Sequence, residues 1–119
     1  MATILIVDDS KTSRKMLRTL LEQAGHTVAD EAVNGEEGLQ KYKELRPDIV
    51  TMDITMPVLD GIEALKSIIA EDKDAKVIMV TAAGQKNKIV EAVKYGAAEF
   101  IAKPFEAGQI SATIDEVLK

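Results

Sequence analysis

Ile49-Val50-Thr51-Met52-Asp53-Ile54-Thr55-Met56-Pro57 is the stretch on which the fold turns. Its first four residues form a short, largely β-branched apolar run, the pattern of a strand buried on both faces. An acid follows at once, then a turn that Pro57 closes, so Asp53 stands on the lip of a buried strand. A second run, Ile4-Leu5-Ile6-Val7, is tipped in the same way by Asp8 and Asp9, and two further runs lead to Thr81 and Lys103. If these strands lie parallel and adjacent, the acids Asp8, Asp9 and Asp53 meet at one edge, and clustered anions need a cation. The combination points to a site that binds a divalent metal and handles phosphate.

Around these runs the sequence alternates between two periods. Strands are predicted over 3–7, 28–32, 49–52, 77–80 and 99–102. The first helix is predicted over 13–24, with Met16, Leu17, Leu20, Leu21 and Ala24 on its inward stripe and Gly25 as its stop. Asn34 with Glu37 marks a capping box for a second helix that runs to about residue 45, ahead of Pro47. Asp60 with Glu63 repeats the signal for a third, with Ile62, Leu65, Ile68 and Ile69 inward. A fourth is predicted over 86–95, ended by Gly96, and a fifth over 107–118 with Ile110, Thr113, Ile114 and Val117 inward. Strict βα alternation gives an α/β fold, a doubly wound parallel sheet with helices on both faces, because the crossovers are right-handed. Ligands of such sheets sit beyond the carboxyl ends of the strands, where Asp8, Asp9, Asp53, Thr81 and Lys103 all fall.

Composition narrows the chemistry. The 119 residues, 46% hydrophobic, fit one domain over 1–119 with a real core, and no output domain is expected after Lys119. A formal charge of −5 argues against nucleic acid or an anionic membrane as partner. With no cysteine and His26 as the one histidine, disulfides, thiolate zinc sites and a multi-histidine centre are excluded. No signal peptide is evident, and the apolar runs fall far short of the roughly 20 residues of a membrane span, so a soluble, cytoplasmic monomer is expected. His26 reads as an exposed turn residue, the methionines mostly as core fillers, and Lys86, Lys88 and Lys94 as a solvated face or part of a docking surface.

The segments Leu5-Ile6-Val7-Asp8-Asp9, Met52 to Pro57, Asp60-Gly61, Val80-Thr81-Ala82 and Lys103-Pro104-Phe105, in this order and spacing, resemble a response-regulator receiver domain over nearly the whole chain. The resemblance implies a five-stranded (βα)5, flavodoxin-like sheet of strand order 2-1-3-4-5. It implies that Asp53 accepts a phosphoryl group from a phosphohistidine on a histidine kinase, with Mg²⁺ held by Asp8, Asp9, Asp53 and the backbone carbonyl of Thr55. Lys103 is then placed beside Asp53, ahead of a cis bond to Pro104, and Thr81 and Phe100 are the switch pair that moves once phosphate arrives. Thr55 and Ala83 flank the path of hydrolytic water, and neither is an acid or amide able to orient it. The surface of the fourth helix, fifth strand and fifth helix is expected to carry the signal by protein contact. Ala83-Gly84-Gln85 together with the Asp53 segment is most similar to single-domain chemotaxis receivers, whose target is the flagellar motor switch.

Other functions stay open at this point. One is a phosphorelay intermediate that passes phosphate to a histidine phosphotransferase. Another is a Mg²⁺-dependent phosphohydrolase with an aspartyl nucleophile, although such enzymes want a second Asp two residues on, where Thr55 stands. An FMN carrier is disfavoured, since Asp8 and Asp9 repel phosphate and only 3% of residues are aromatic.

Overall fold

The two sequence periods become two alternating kinds of element. A computed structural model describes residues 2–119. In chain order they form β1 (Thr3–Val7), α1 (Lys11–Gln23), β2 (Thr27–Ala32), α2 (Gly35–Leu45), β3 (Ile49–Asp53), α3 (Gly61–Glu71), β4 (Val77–Thr81), α4 (Lys86–Lys94), β5 (Glu99–Ala102) and α5 (Ala107–Leu118). All four strand pairings are parallel, in the order β2-β1-β3-β4-β5 expected from the resemblance. The central strands β3 and β4 are buried at every residue, while the edge strand β2 exposes Thr27 and Ala29. That difference explains why 28–32 is the least apolar of the strand runs: an edge has one neighbour fewer to bury it.

Successive residues feed opposite faces of the sheet. Ile4, Ile6, Ile49, Ile78 and Ile101 pack with Leu17 and Leu21 of α1 and with Ile110, Ile114 and Val117 of α5. Leu5, Val7, Val50, Met52, Val77 and Met79 pack against Tyr42 of α2, Ile62, Leu65 and Ile68 of α3, and Ala92 of α4. Each fully buried Leu, Ile or Met side chain contributes roughly 1.5–3 kcal/mol, so this two-sided burial holds the sheet edge that carries the polar residues.

Helix starts follow local chemistry. The side chains of Ser10, Asn34 and Asp60 accept from the backbone N–H of Ser13, Glu37 and Glu63 respectively. Helix α1 therefore begins at Lys11, two residues before the predicted start, because Ser10 is its cap. Glu37 bonds the N–H of Val33 rather than that of Asn34, so the predicted capping box is displaced by one residue. Of the predicted α1 stripe, Leu17, Leu20 and Leu21 face inward, but Ala24 is exposed and Met16 lines an open surface groove with Leu20 and Phe105. Met52, Met56 and Met79 are core residues, as expected. His26 is half-buried rather than exposed, and its Nδ1 accepts from the N–H of Ala2 at 3.1 Å. No helix among the described residues is long and apolar enough to cross a membrane.

One core position is chemically mismatched. Thr51 lies in the middle of β3 between Ile6 and Ile78, fully buried, and its hydroxyl has no hydrogen-bond partner. Thr51→Val keeps the shape and removes the stranded hydroxyl, so it is expected to raise stability by about 1 kcal/mol. A urea titration checks this, and a midpoint lowered by the substitution would show that the hydroxyl is satisfied in solution.

Candidate functional site at the carboxyl edge of the sheet

Register brings the polar residues together. Val7 pairs with Met52, so Asp8 and Asp53 extend side by side from neighbouring strands. Asp53 is itself the last residue of β3 and pairs with Val80, while Thr81 ends β4 opposite Ala102, one residue before Lys103. The N–H of Lys103 donates to the carbonyl of Thr81 at 2.8 Å, and that of Asp8 donates to the carbonyl of Ala32 at 3.0 Å. Residues far apart in sequence thus meet at one edge because parallel pairing aligns strand ends.

The geometry is that of an anionic pocket with one cation. Carboxylate oxygens of Asp8, Asp9 and Asp53 lie within 4.8 Å of one another. Asp8 and Asp53 are buried, at 2% and 8% exposure, and Asp9 is exposed. The Lys103 ammonium stands 3.1 Å from Asp8 Oδ2 and 3.7 Å from Asp53 Oδ2. Asp8 Oδ1 accepts from the N–H of Ser10 at 2.8 Å. Its Oδ2 is close enough to Lys103 for an ion pair but not aligned for a hydrogen bond, so this buried oxygen keeps free lone pairs. Hard oxygen donors of this kind, one of them buried and without a hydrogen bond, fit a small divalent cation.

Burial pushes the Asp53 carboxyl up to about 6, and the charges of Asp8 and then Asp9 push the same way, against the opposing ammonium of Lys103. Asp53 is therefore mostly ionised at neutral pH yet costly to keep charged, which is the condition of a carboxylate that gains from binding a cation.

Close backbone packing shapes the rim. The N–H of Gly61 donates to the Ile54 carbonyl at 2.7 Å, and a Cβ on Gly61 would stand 1.9 Å from the Asp53 carbonyl oxygen. Only glycine lets α3 start this close to the acid, which accounts for Asp60-Gly61. The Lys103–Pro104 bond is cis, and the exposed Val58 in the β3–α3 loop takes a left-handed φ of 69°. Thr81 is buried beside the site. Phe100 is half-buried, pairs with Met79 and packs on the α2–α3–α4 side of the core.

Contacts of Arg14, Arg18 and Gln85 were not foreseen from sequence. Arg14 Nη1 donates to the backbone carbonyl of Asp8 at 2.8 Å, while its Nε donates to Glu31 at 2.9 Å. Glu31 is held as well by Arg18, whose Nε lies 2.7 Å away, and the two arginines outweigh burial to lower the Glu31 carboxyl below its usual range. The spacing of Arg14 and Arg18, one helical turn apart and facing an edge strand with Asp30 and Glu31, was the available signal. Gln85 in turn contacts Thr55.

Comparison with known proteins agrees with this architecture. A family model described as response regulator receiver domain matches residues 4–115. The chain is 49% identical to chemotaxis protein CheY of Thermotoga maritima over 98% of its own length and 97% of that protein's. It is 46% identical to CheY of Listeria monocytogenes over the full length of both. Among solved structures, the complex of CheX, CheY, BeF3 and magnesium from Borrelia burgdorferi contains a chain that superposes with a TM-score of 0.94 at 39% identity, over 98% of this chain and 89% of that one.

Proposed function

Because the chain belongs to the response regulator receiver family and is closely related to the CheY chemotaxis regulators, we propose that it is a phosphorylation-activated signalling protein with Asp53 as phosphoryl acceptor. The observation that carries this reading is the convergence of Asp8, Asp9 and Lys103 on one buried, ionised carboxylate. A non-enzymatic signalling role follows, in which the only chemistry is gain and loss of the protein's own phosphoryl group.

In the proposed step an oxygen of Asp53 forms a bond to phosphorus as the bond to the histidine nitrogen of the donor kinase breaks, and the histidine leaves with its electron pair. Such transfers depend on alignment and on neutralising charge more than on nucleophile strength. Asp8, Asp9, Asp53 and the Thr55 carbonyl are the residues that would hold Mg²⁺, which supplies the charge neutralisation when bound. Lys103 moves from pairing with carboxylates to pairing with a phosphoryl oxygen. Thr81, buried beside the site, offers a hydroxyl to another. Phe100, at the margin of the core on β5, is the neighbour free to turn when that loop shifts.

The signal leaves through α4, β5 and α5. Val90 and Val93 of α4 are exposed at 72% and 58% among Lys86, Lys88 and Lys94, an apolar pair that a protein partner would cover. A chemotaxis histidine kinase as donor and the flagellar motor switch as target are the partners this reading favours, with residues 1–119 acting as one monomeric receiver in the cytoplasm.

Incubation with acetyl phosphate and Mg²⁺ is expected to add one phosphoryl group by intact mass, and none to Asp53→Asn. Turnover of a phosphate ester, or no adduct on the parent protein, would sink the reading.

A further inference from the structure

Helix α4 starts without the usual help. Gln85 occupies its N-cap position, yet its side chain makes no capping bond, unlike those of Ser10, Asn34 and Asp60. Both ends of that amide are used elsewhere. Oε1 accepts from the backbone N–H of Ala82 at 2.6 Å, and Nε2 contacts the Thr55 hydroxyl oxygen at 3.1 Å, thirty residues away on another loop. Asp53 and Val80 are a register pair, so Thr55 and Ala82 each lie two residues past it, in the loops that follow the adjacent strands β3 and β4. The half-buried Gln85 side chain therefore crosses between the two loops that frame Asp53, on the side where each leaves the sheet.

We propose that Gln85 is a positioning residue: its amide bars the β3–α3 loop to the β4–α4 loop and prolongs the life of the phosphoryl group on Asp53. This rests on the function proposed above. Tying Thr55 down holds its backbone carbonyl at the cation site and keeps the mouth between the loops narrow. Neither Thr55 nor Ala83 is an acid or amide able to orient a hydrolytic water. The amide that reaches this place comes from residue 85, and with both polar ends engaged it shields the mouth without activating water. Its contribution is kinetic: the amide spans the gap between the two loops that frame Asp53 and shields that side of the site from water.

The test uses the full chain as parent, Gln85→Met, Thr55→Val and the double variant. Thr55→Val keeps the backbone carbonyl and removes only the hydroxyl that the amide contacts. Each is phosphorylated with acetyl phosphate and Mg²⁺, freed of the donor, and followed by intact mass. The half-life is expected to fall roughly fivefold in Gln85→Met, the scale of one or two lost exposed hydrogen bonds. Thr55→Val should shorten it as well, and the double variant should be no faster than the faster single variant, while urea midpoints stay near the parent's. A parental half-life in Gln85→Met, or effects of the two single variants that multiply in the double, overturns the bar while leaving the phosphoryl-acceptor role intact. Failure of the parent to take up phosphate at all overturns both.

Discussion

Asp53→Asn is expected to be more stable than the parent protein, by about 3 kcal/mol at pH 7 in metal-free buffer, while losing all phosphoryl uptake. The folded Asp53 carboxyl titrates at about 6 against an ordinary 3.8, chiefly because burial penalises its charge. A tenfold change in proton affinity corresponds to about 1.4 kcal/mol, and the cost of the ionised group to the folded state at neutral pH follows from it. Asparagine keeps the shape and carries no charge. The sign of the pH dependence has the same origin. Between about 6 and 4 the folded state binds the Asp53 proton and the unfolded chain does not, so this group's cost is present at pH 7 and is removed as pH falls through that window. The gap between parent and Asp53→Asn should accordingly close towards pH 4. It should also narrow in millimolar Mg²⁺, which stabilises the folded form that binds it. Urea titrations at pH 7 and pH 4.5, with and without Mg²⁺, measure all of this. Equal midpoints at pH 7 without metal would show that Asp53 is better solvated than its burial indicates.

Lys103→Met is expected to act in the opposite direction, with a loss of about 3 kcal/mol at pH 7 without metal. Among the described residues, the ammonium is the only cation paired with the carboxylates of Asp8 and Asp53, at 3.1 and 3.7 Å. Removing one partner of a buried pair strands the other, a loss of roughly 3–5 kcal/mol, and the partial exposure of Lys103 argues for the lower end. Lys103 holds the Asp53 carboxyl down, so its loss lets that carboxyl climb further. Lowering the pH to 5 should therefore restore more stability to the variant than to the parent, and Mg²⁺ should restore it too. A deficit that neither treatment changes would mean that Lys103 contributes through packing of its stem alone. In a double variant with Asp53→Asn the loss should shrink, because one of the stranded anions is gone.

Much of the fold was legible because its causes are local. A β-branched run such as Val77-Ile78-Met79-Val80, a cap such as Asn34 and a stop such as Gly25 each act within a few residues, and the structure places those elements within two residues of their predicted bounds. The meeting of Asp8, Asp9, Asp53 and Lys103 was legible for a related reason: each follows a strand, and parallel strands put their ends together. The contacts of Arg14, Gln85 and His26 were not. A long side chain on a helix or loop has several rotamers of similar energy, and what selects one is a neighbour from a distant segment, Glu31 for Arg14, Thr55 for Gln85, Ala2 for His26. The exposure of Met16 has the same origin, because an amphipathic stripe says which way a helix faces and not how closely its neighbours cover each residue of the stripe.

The amino-acid sequence determined the order of the elements and the set of acids at the sheet's carboxyl edge, since both follow from periodicity and from where each apolar run stops. Only the tertiary structure decided how deeply Asp53 is buried, how near Asp8 and Lys103 come to it, and that Gln85 spans its two loops. Desolvation and Coulomb energy vary over a few ångströms, and distances of that size are set by strand register and packing across the whole sheet, which no single segment contains.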